Sequence, residues 1–149
     1  MRVPNTLAFA VASGRIGYVY LCDGEVRDWG TSSVSARSPE KAQAYVKKII
    51  GTYCAQLIVT ERLTLQTRKG RHTRRIIEEI ERTVGNLDIH AIDVERVQHH
   101  ENKYLEIEDL AKRYPVLEPW KVAKRKAWEG EHRNTIIWEA LTLVDQINS

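Results

Sequence analysis

The chain has 149 residues, 42% hydrophobic and 29% charged, close to the soluble globular average, so the composition argues against a long disordered tail. That length suits one domain, expected over 1–149, and is short for two. No apolar run approaches a membrane span, the net charge of +3 is only mildly basic, and the two cysteines lack the CxxC spacing of a zinc finger.

The N-terminus enters a strand-like pattern with no signal-peptide cleavage site, and Cys22 and Cys54 sit among apolar residues. Both features lead to the expectation of a cytoplasmic protein with buried, reduced thiols. Three strands are predicted first: Leu7 to Ser13, Ile16 to Cys22, and Glu25 to about Ser33. Asp23-Gly24 between the second and third is a two-residue hairpin signal, because both turn positions need positive φ. Ser38-Pro39-Glu40 then supplies an N-cap hydroxyl, a proline suited to a first helical turn, and an acid facing the helix dipole. Ala42, Tyr45, Val46, Ile49 and Tyr53 follow at helical spacing.

The β-branched run QLIVTE (Gln56 to Glu61) predicts a buried parallel strand. A helix carrying Ile76, Ile77, Ile80 and Val84 is expected to end with Gly85 as its cap, before a strand from Leu87 to Val94. Asn102 to Tyr114 predicts a helix stopped by Pro115. The last helix is placed from about Glu131 to Ile147, with Ile136, Ile137, Ala140, Leu141, Val144 and Ile147 inward. The order βββ-α-β-α-β-α-α describes an α/β domain: a mixed sheet with helices on both faces.

Sites in such folds lie outside the carboxyl ends of the parallel strands, which singles out Glu61. On the final helix His132 and Glu139 lie about two turns apart and share a face, with Glu131 beside them in the first turn. Paired carboxylates from different elements suit Mg²⁺ or Mn²⁺, and two such ions can activate a water and stabilise a leaving oxygen at a phosphodiester. Two basic runs could hold the phosphate backbone. One comprises Arg68, Lys69, Arg71, Arg74 and Arg75; the other comprises Lys121, Lys124, Arg125 and Lys126. Each run alone also suits a merely solvated face.

Trp29 and Trp138 read as packing residues. Trp120 and Trp128 accompany the second basic run, either stacking on bases or pinning their loop to the body. His99-His100 read as surface residues. The chain lacks GxxxxGK[ST], GxGxxG after a strand, HExxH and GxSxG, which removes the chemistries those motifs carry.

Taken together, FAVASGRIGY (Phe9 to Tyr18), CDGEVRDWGT (Cys22 to Thr31), QLIVTE, and the stretch from Lys103 to Leu141 resemble the RuvC-type Holliday-junction resolvases, and more closely their small bacterial relatives. The resemblance spans nearly the whole chain and rests on the order and spacing of its motifs. It implies a ribonuclease H-like mixed sheet, an antiparallel three-strand meander plus two parallel strands. Glu61 and Glu139 would then be metal acids, with Glu131 and His132 at an acidic pair. The family places an aspartate on the first strand where this chain has Ala12, and a methyl group coordinates nothing.

The expected function is therefore that of a RuvC-like protein that binds DNA, branched forms included, with a degenerate metal site. An active Mg²⁺- or Mn²⁺-dependent endonuclease and a protein-interaction or dimerisation module are the alternatives. A homodimer would match the two-fold symmetry of a four-way junction.

Overall fold

The computed structural model describes residues 4–12, 14–65, 67, 69–96, 103–122 and 134–148. It opens as the expected meander: β1 (Thr6–Ala12), β2 (Arg15–Cys22) and β3 (Glu25–Ser32) run antiparallel. The turns between them need left-handed backbone, supplied by Gly14 (φ 78°) and by Asp23 and Gly24 (φ 53° and 81°). Next come α1 (Pro39–Thr52), β4 (Leu57–Glu61), α2 (Arg71–Gly85), β5 (Ala91–Val94), α3 (Lys103–Arg113) and α4 (Thr135–Asn148). A 3-10 segment, Pro115–Trp120, follows α3. The five-stranded sheet has the order β3-β2-β1-β4-β5, with β4 parallel to both β1 and β5.

Side-chain alternation on the central strands divides the core. Leu7, Phe9 and Val11 face α1 and α2, against Val46, Ile49, Ile76 and Ile80. Ala8 and Ala10 face α3 and α4 with Val19, Leu21 and Val59, against Ile107, Leu110, Ile137 and Leu141. Helices thus cover both faces. Ser38 caps α1 as its sequence predicts, its hydroxyl accepting from Lys41 N–H at 3.2 Å. Among the described residues, no helix is long and apolar enough to cross a membrane.

Several expectations need correction. The fifth strand begins at Ala91 rather than Leu87, because the segment before it wraps up the helix end. Asn86 N–H bonds Arg82 and Thr83 carbonyls, and Leu87 N–H bonds Val84 O. Gly85 is the last residue of α2 and adopts no left-handed backbone; Asn86 is the cap, at φ −89°. Ile147 is 36% exposed, whereas Leu143, off the expected inward stripe, is fully buried. The thiols are not both interior: Cys22 is half-buried and Cys54 exposed.

The Asp-Trp-Gly of β3 is explained residue by residue. Leu21 pairs with Val26 and Tyr20 with Asp28, so Arg27 is the extra residue of a bulge that re-aims the rest of the strand. Asp28 accepts hydrogen bonds from Trp29 N–H (2.8 Å) and from the Tyr53 hydroxyl. Trp29 meets Trp120 edge-on, with ring centroids 4.8 Å apart. Gly30 lies under the Tyr18 ring, where a Cβ would come within 2.8 Å of Cε1. Trp138, 2% exposed, donates its Nε1–H to Trp120 O at 3.2 Å. Trp120 thus pins its segment to the body, while Trp128 lies outside the described residues.

Candidate functional site

Glu61 ends β4 and follows Leu57 and Val59, which face α4, so the pleat turns its carboxylate to the same side. β1 and β4 pair Thr6 with Leu57 and Ala8 with Val59. Two residues on, that register sets Ala10 level with Glu61, and Ala12 lies one pleat further along the same face. Each offers only a methyl. The small side chains of Ala8 and Ala10, with Gly17 on β2, let α4 approach the sheet and bring Glu139 over the end of β4.

Glu61 is only 4% exposed, so its charge needs a partner. The partner is Lys69, from the loop between β4 and α2. Its Nζ donates to Glu61 Oε1 at 2.7 Å and to Val11 O at 2.6 Å, and lies 3.6 Å from Glu139 Oε1. Arg96, just after β5, approaches Glu139 Oε1 with Nε at 3.8 Å and donates from Nη2 to Glu106 Oε1 at 3.1 Å. Glu106, on α3 and 5% exposed, also accepts from Thr142 Oγ1 at 3.4 Å. Three carboxylates and two cations form one cluster. The sequence singles out neither Glu106 nor Arg96, nor the inward role of Lys69.

The loop that delivers Lys69 is held on both sides. Thr64 N–H donates to Thr67 Oγ1 at 2.9 Å, and Thr67 N–H returns to Thr64 O at 3.2 Å. From the first turns of α2, Arg74 donates Nε–H to Lys69 O at 3.1 Å, and its Nη2 reaches Thr64 O and Thr67 O. Arg74 therefore acts as a clamp inside the protein. Arg74→Ala removes this donor from the Lys69 and Thr67 carbonyls, while Thr64 O keeps Thr67 N–H, and should destabilise the chain by about 2 kcal/mol in urea unfolding. Arg71→Ala and Arg75→Ala, both exposed, should each stay within about 0.5 kcal/mol.

The basic runs thus separate by role. Arg71 and Arg75 project from the start of α2 into solvent, while Lys69 and Arg74 turn inward. Lys121 pairs with Glu108 at 3.2 Å and Glu118 at 3.0 Å. Arg68, Lys124, Arg125 and Lys126 lie outside the described residues, as do Glu131, His132 and the 99–100 histidines.

Hard divalent cations need several oxygen donors converging on one point. Among the described residues, no group of three or more His, Cys, Asp or Glu side chains is placed to hold a metal ion. The carboxylates of Glu61 and Glu139 converge instead on an ammonium. The described residues therefore do not fit a two-metal centre.

A separate open cleft of about 610 Å³ lies between the end of α2 and β5, lined by Thr60, Arg62, Glu81, Val84, Gly85, Ala91, Ile92 and Asp93. Burial, and then the negative charge of Asp93, push the Glu81 carboxyl above its ordinary pKa. Arg62 is held by Asp93 at 3.1 Å. An acidic cleft of this kind does not suit a phosphate backbone.

No protein-family profile and no curated protein sequence matches the chain. Solved structures do. The fowlpox virus resolvase in complex with Holliday-junction DNA superposes with a TM-score of 0.61 at 9% identity, over 97% of each chain. Thermus thermophilus RuvC gives a TM-score of 0.59 at 10% identity over 96% of each chain. The same protein with Holliday-junction substrate gives 0.56 at 8% identity, over 99% of this chain and 98% of that one. At such identities the likeness is one of fold: the chain adopts the RuvC-like, ribonuclease H-like α/β architecture.

Proposed function

We propose that this chain binds branched DNA on the face around Glu61 and Glu139, and that it does so without a two-metal hydrolytic centre. One observation carries the reading. The carboxylates at the end of β4 and in the second turn of α4 are neutralised by Lys69 and Arg96, side chains of the protein itself. Alanine at positions 10 and 12 supplies no further acid on that face of β1. Fold neighbours over nearly the full chain, two of them complexes with Holliday-junction DNA, support branched DNA as the ligand class. Arg71 and Arg75 are the described cations from the first basic run that remain exposed to meet phosphates. Arg68, Lys124, Arg125 and Lys126 complete the proposed contact set.

A second reading, Mg²⁺- or Mn²⁺-dependent cleavage, is favoured by the convergence of Glu61 and Glu139 on one point, with Glu131 and His132 as the further ligands that the family resemblance implies. One experiment decides between the two. Labelled four-way junction and duplex of matched sequence are titrated with the chain at several salt concentrations, then incubated with Mg²⁺ or Mn²⁺. The expected result is a preference for the junction, affinity that falls steeply with salt, and no cleavage. Arg71→Ala/Arg75→Ala should weaken binding to every sequence and lower the salt slope by roughly 2, about 0.9 for each phosphate contact. Metal-dependent cutting that Glu61→Gln abolishes would establish the nuclease reading instead. Binding that is absent or insensitive to salt would favour a protein-interaction module on the same fold.

A further inference from the structure

We infer that Lys69 is a resident counter-ion, an internal ammonium standing where a hard divalent cation would otherwise be drawn, and that removing it creates a divalent-cation site. The inference rests on the proposed reading of Glu61 and Glu139 as a site without a metal, and extends it by naming what holds that site together.

The geometry around Nζ carries the argument. An ammonium is a compact point charge with three hydrogens. Here it faces three oxygens: Glu61 Oε1 at 2.7 Å, the Val11 carbonyl at 2.6 Å and Glu139 Oε1 at 3.6 Å. With the ammonium gone, the Glu61 carboxylate and the Val11 carbonyl are oxygen donors of the kind that Mg²⁺ or Mn²⁺ accepts, with Glu139, whose Oε1 Arg96 also approaches at 3.8 Å, beside them and waters filling the remaining positions. The lysine side chain is 18% exposed, against 5% for Glu61 and 12% for Glu139. It is therefore a largely covered group, unlike a surface lysine that samples many partners.

Its placement is also built. Arg74 bonds the Lys69 carbonyl, and the Thr64–Thr67 pair closes the loop ahead of it. The backbone that aims the ammonium is thus fixed from two sides. With Lys69 in place, the positive charge the carboxylates require is already covalently attached. A divalent ion would have to expel the ammonium from a loop that three carbonyls hold to Arg74.

The test is Mn²⁺ binding, followed by the electron paramagnetic resonance signal of the free ion, on the wild-type chain, Lys69→Gln and Lys69→Gln/Glu61→Gln. The wild-type chain is expected to show no saturable binding that depends on Glu61. Lys69→Gln should gain saturable binding of a single Mn²⁺, accompanied by a rise in Tm with added Mn²⁺. Adding Glu61→Gln should weaken that binding by about tenfold or more, because it removes a charged ligand. Saturable binding by the wild-type chain that Glu61→Gln removes would overturn the inference, as would Lys69→Gln that gains none.

Should Lys69→Gln alone fail to fold, its recovery with Mn²⁺ or with Glu61→Gln supports the counter-ion role, and failure of both overturns it. Junction binding by the wild-type chain separates this inference from the reading beneath it. A negative Mn²⁺ result with intact junction binding overturns the lysine's role alone. Absent junction binding overturns the proposed function while leaving the Mn²⁺ result to stand.

Discussion

Alanine at Gly17 should destabilise the chain by about 1–3 kcal/mol in urea unfolding, although alanine for glycine at a compatible backbone position ordinarily stabilises by about 0.4–1 kcal/mol. The sign reverses because of α4. A Cβ on Gly17 would stand 2.7 Å from Ile136 Cγ2, 3.0 Å from its Cγ1 and 3.1 Å from its carbonyl carbon. The last contact is with backbone, so a rotamer change at Ile136 cannot relieve it and the helix must lift. Glu139 lies one turn further along that helix, so the displacement also pulls its carboxylate from Lys69 and Arg96. Gly51, near the end of α1, is the control: a Cβ there meets nothing within 4 Å. Gly51→Ala should gain about 0.5–1 kcal/mol from helix propensity. A Gly17→Ala chain as stable as wild type would mean that α4 is not seated on β2 as described.

The parts of the fold legible in the sequence are those that local rules determine. The hairpins were legible because alternation and Asp23-Gly24 are short-range signals, and α1 because Ser38 and Pro39 declare its start. The inward stripe of α4 was legible except at its margins. Ile147 lies near the helix end and is exposed, whereas Trp138 and Leu143 are buried off the stripe. The 3-10 segment after α3 meets Trp138, and α3 also packs on α4. A helix apolar on nearly every side signals two-sided burial, and that pattern was present in TIIWEALTLV.

The site was half legible. Strand-end position exposed Glu61, and helical spacing exposed Glu139. Lys69 and Arg74 belong to a charge run, and a one-dimensional run does not tell which members a returning loop turns inward. The Thr64–Thr67 spacing ahead of Gly70 was the available clue to that return. Glu106 had a signal too: it occupies the apolar stripe of α3, beside Ile107 and one turn before Leu110. A carboxylate on such a stripe demands a buried partner. No sequence rule names Arg96 as that partner, because the contact depends on how the residues after β5 meet α3.

Arg96 and Glu106 lead to the largest stability effect expected of a side chain in the cluster. Arg96→Met should cost about 3–5 kcal/mol, the range seen when one member of a buried ion pair is removed and the other charge is left without compensation. Glu106 is 5% exposed, and without Arg96 its described donor is the Thr142 hydroxyl at 3.4 Å. Desolvation of the orphaned carboxylate, rather than lost attraction, sets that magnitude. The intact pair is imperfect as it stands: among the described residues, Glu106 Oε2 and Arg96 Nε find no hydrogen-bond partner. Replacing both members should therefore be far milder than replacing one. Arg96→Met/Glu106→Leu is expected within about 1–2 kcal/mol of wild type, since a hydrophobic pair of similar volume often equals a buried ion pair. A double-mutant cycle by urea unfolding measures the difference directly. Costs that add across the cycle would mean that the two side chains act independently. A strongly compensating cycle would show that the two side chains act as one unit, tying the residues after β5 to α3 where Glu106 also meets Thr142 of α4.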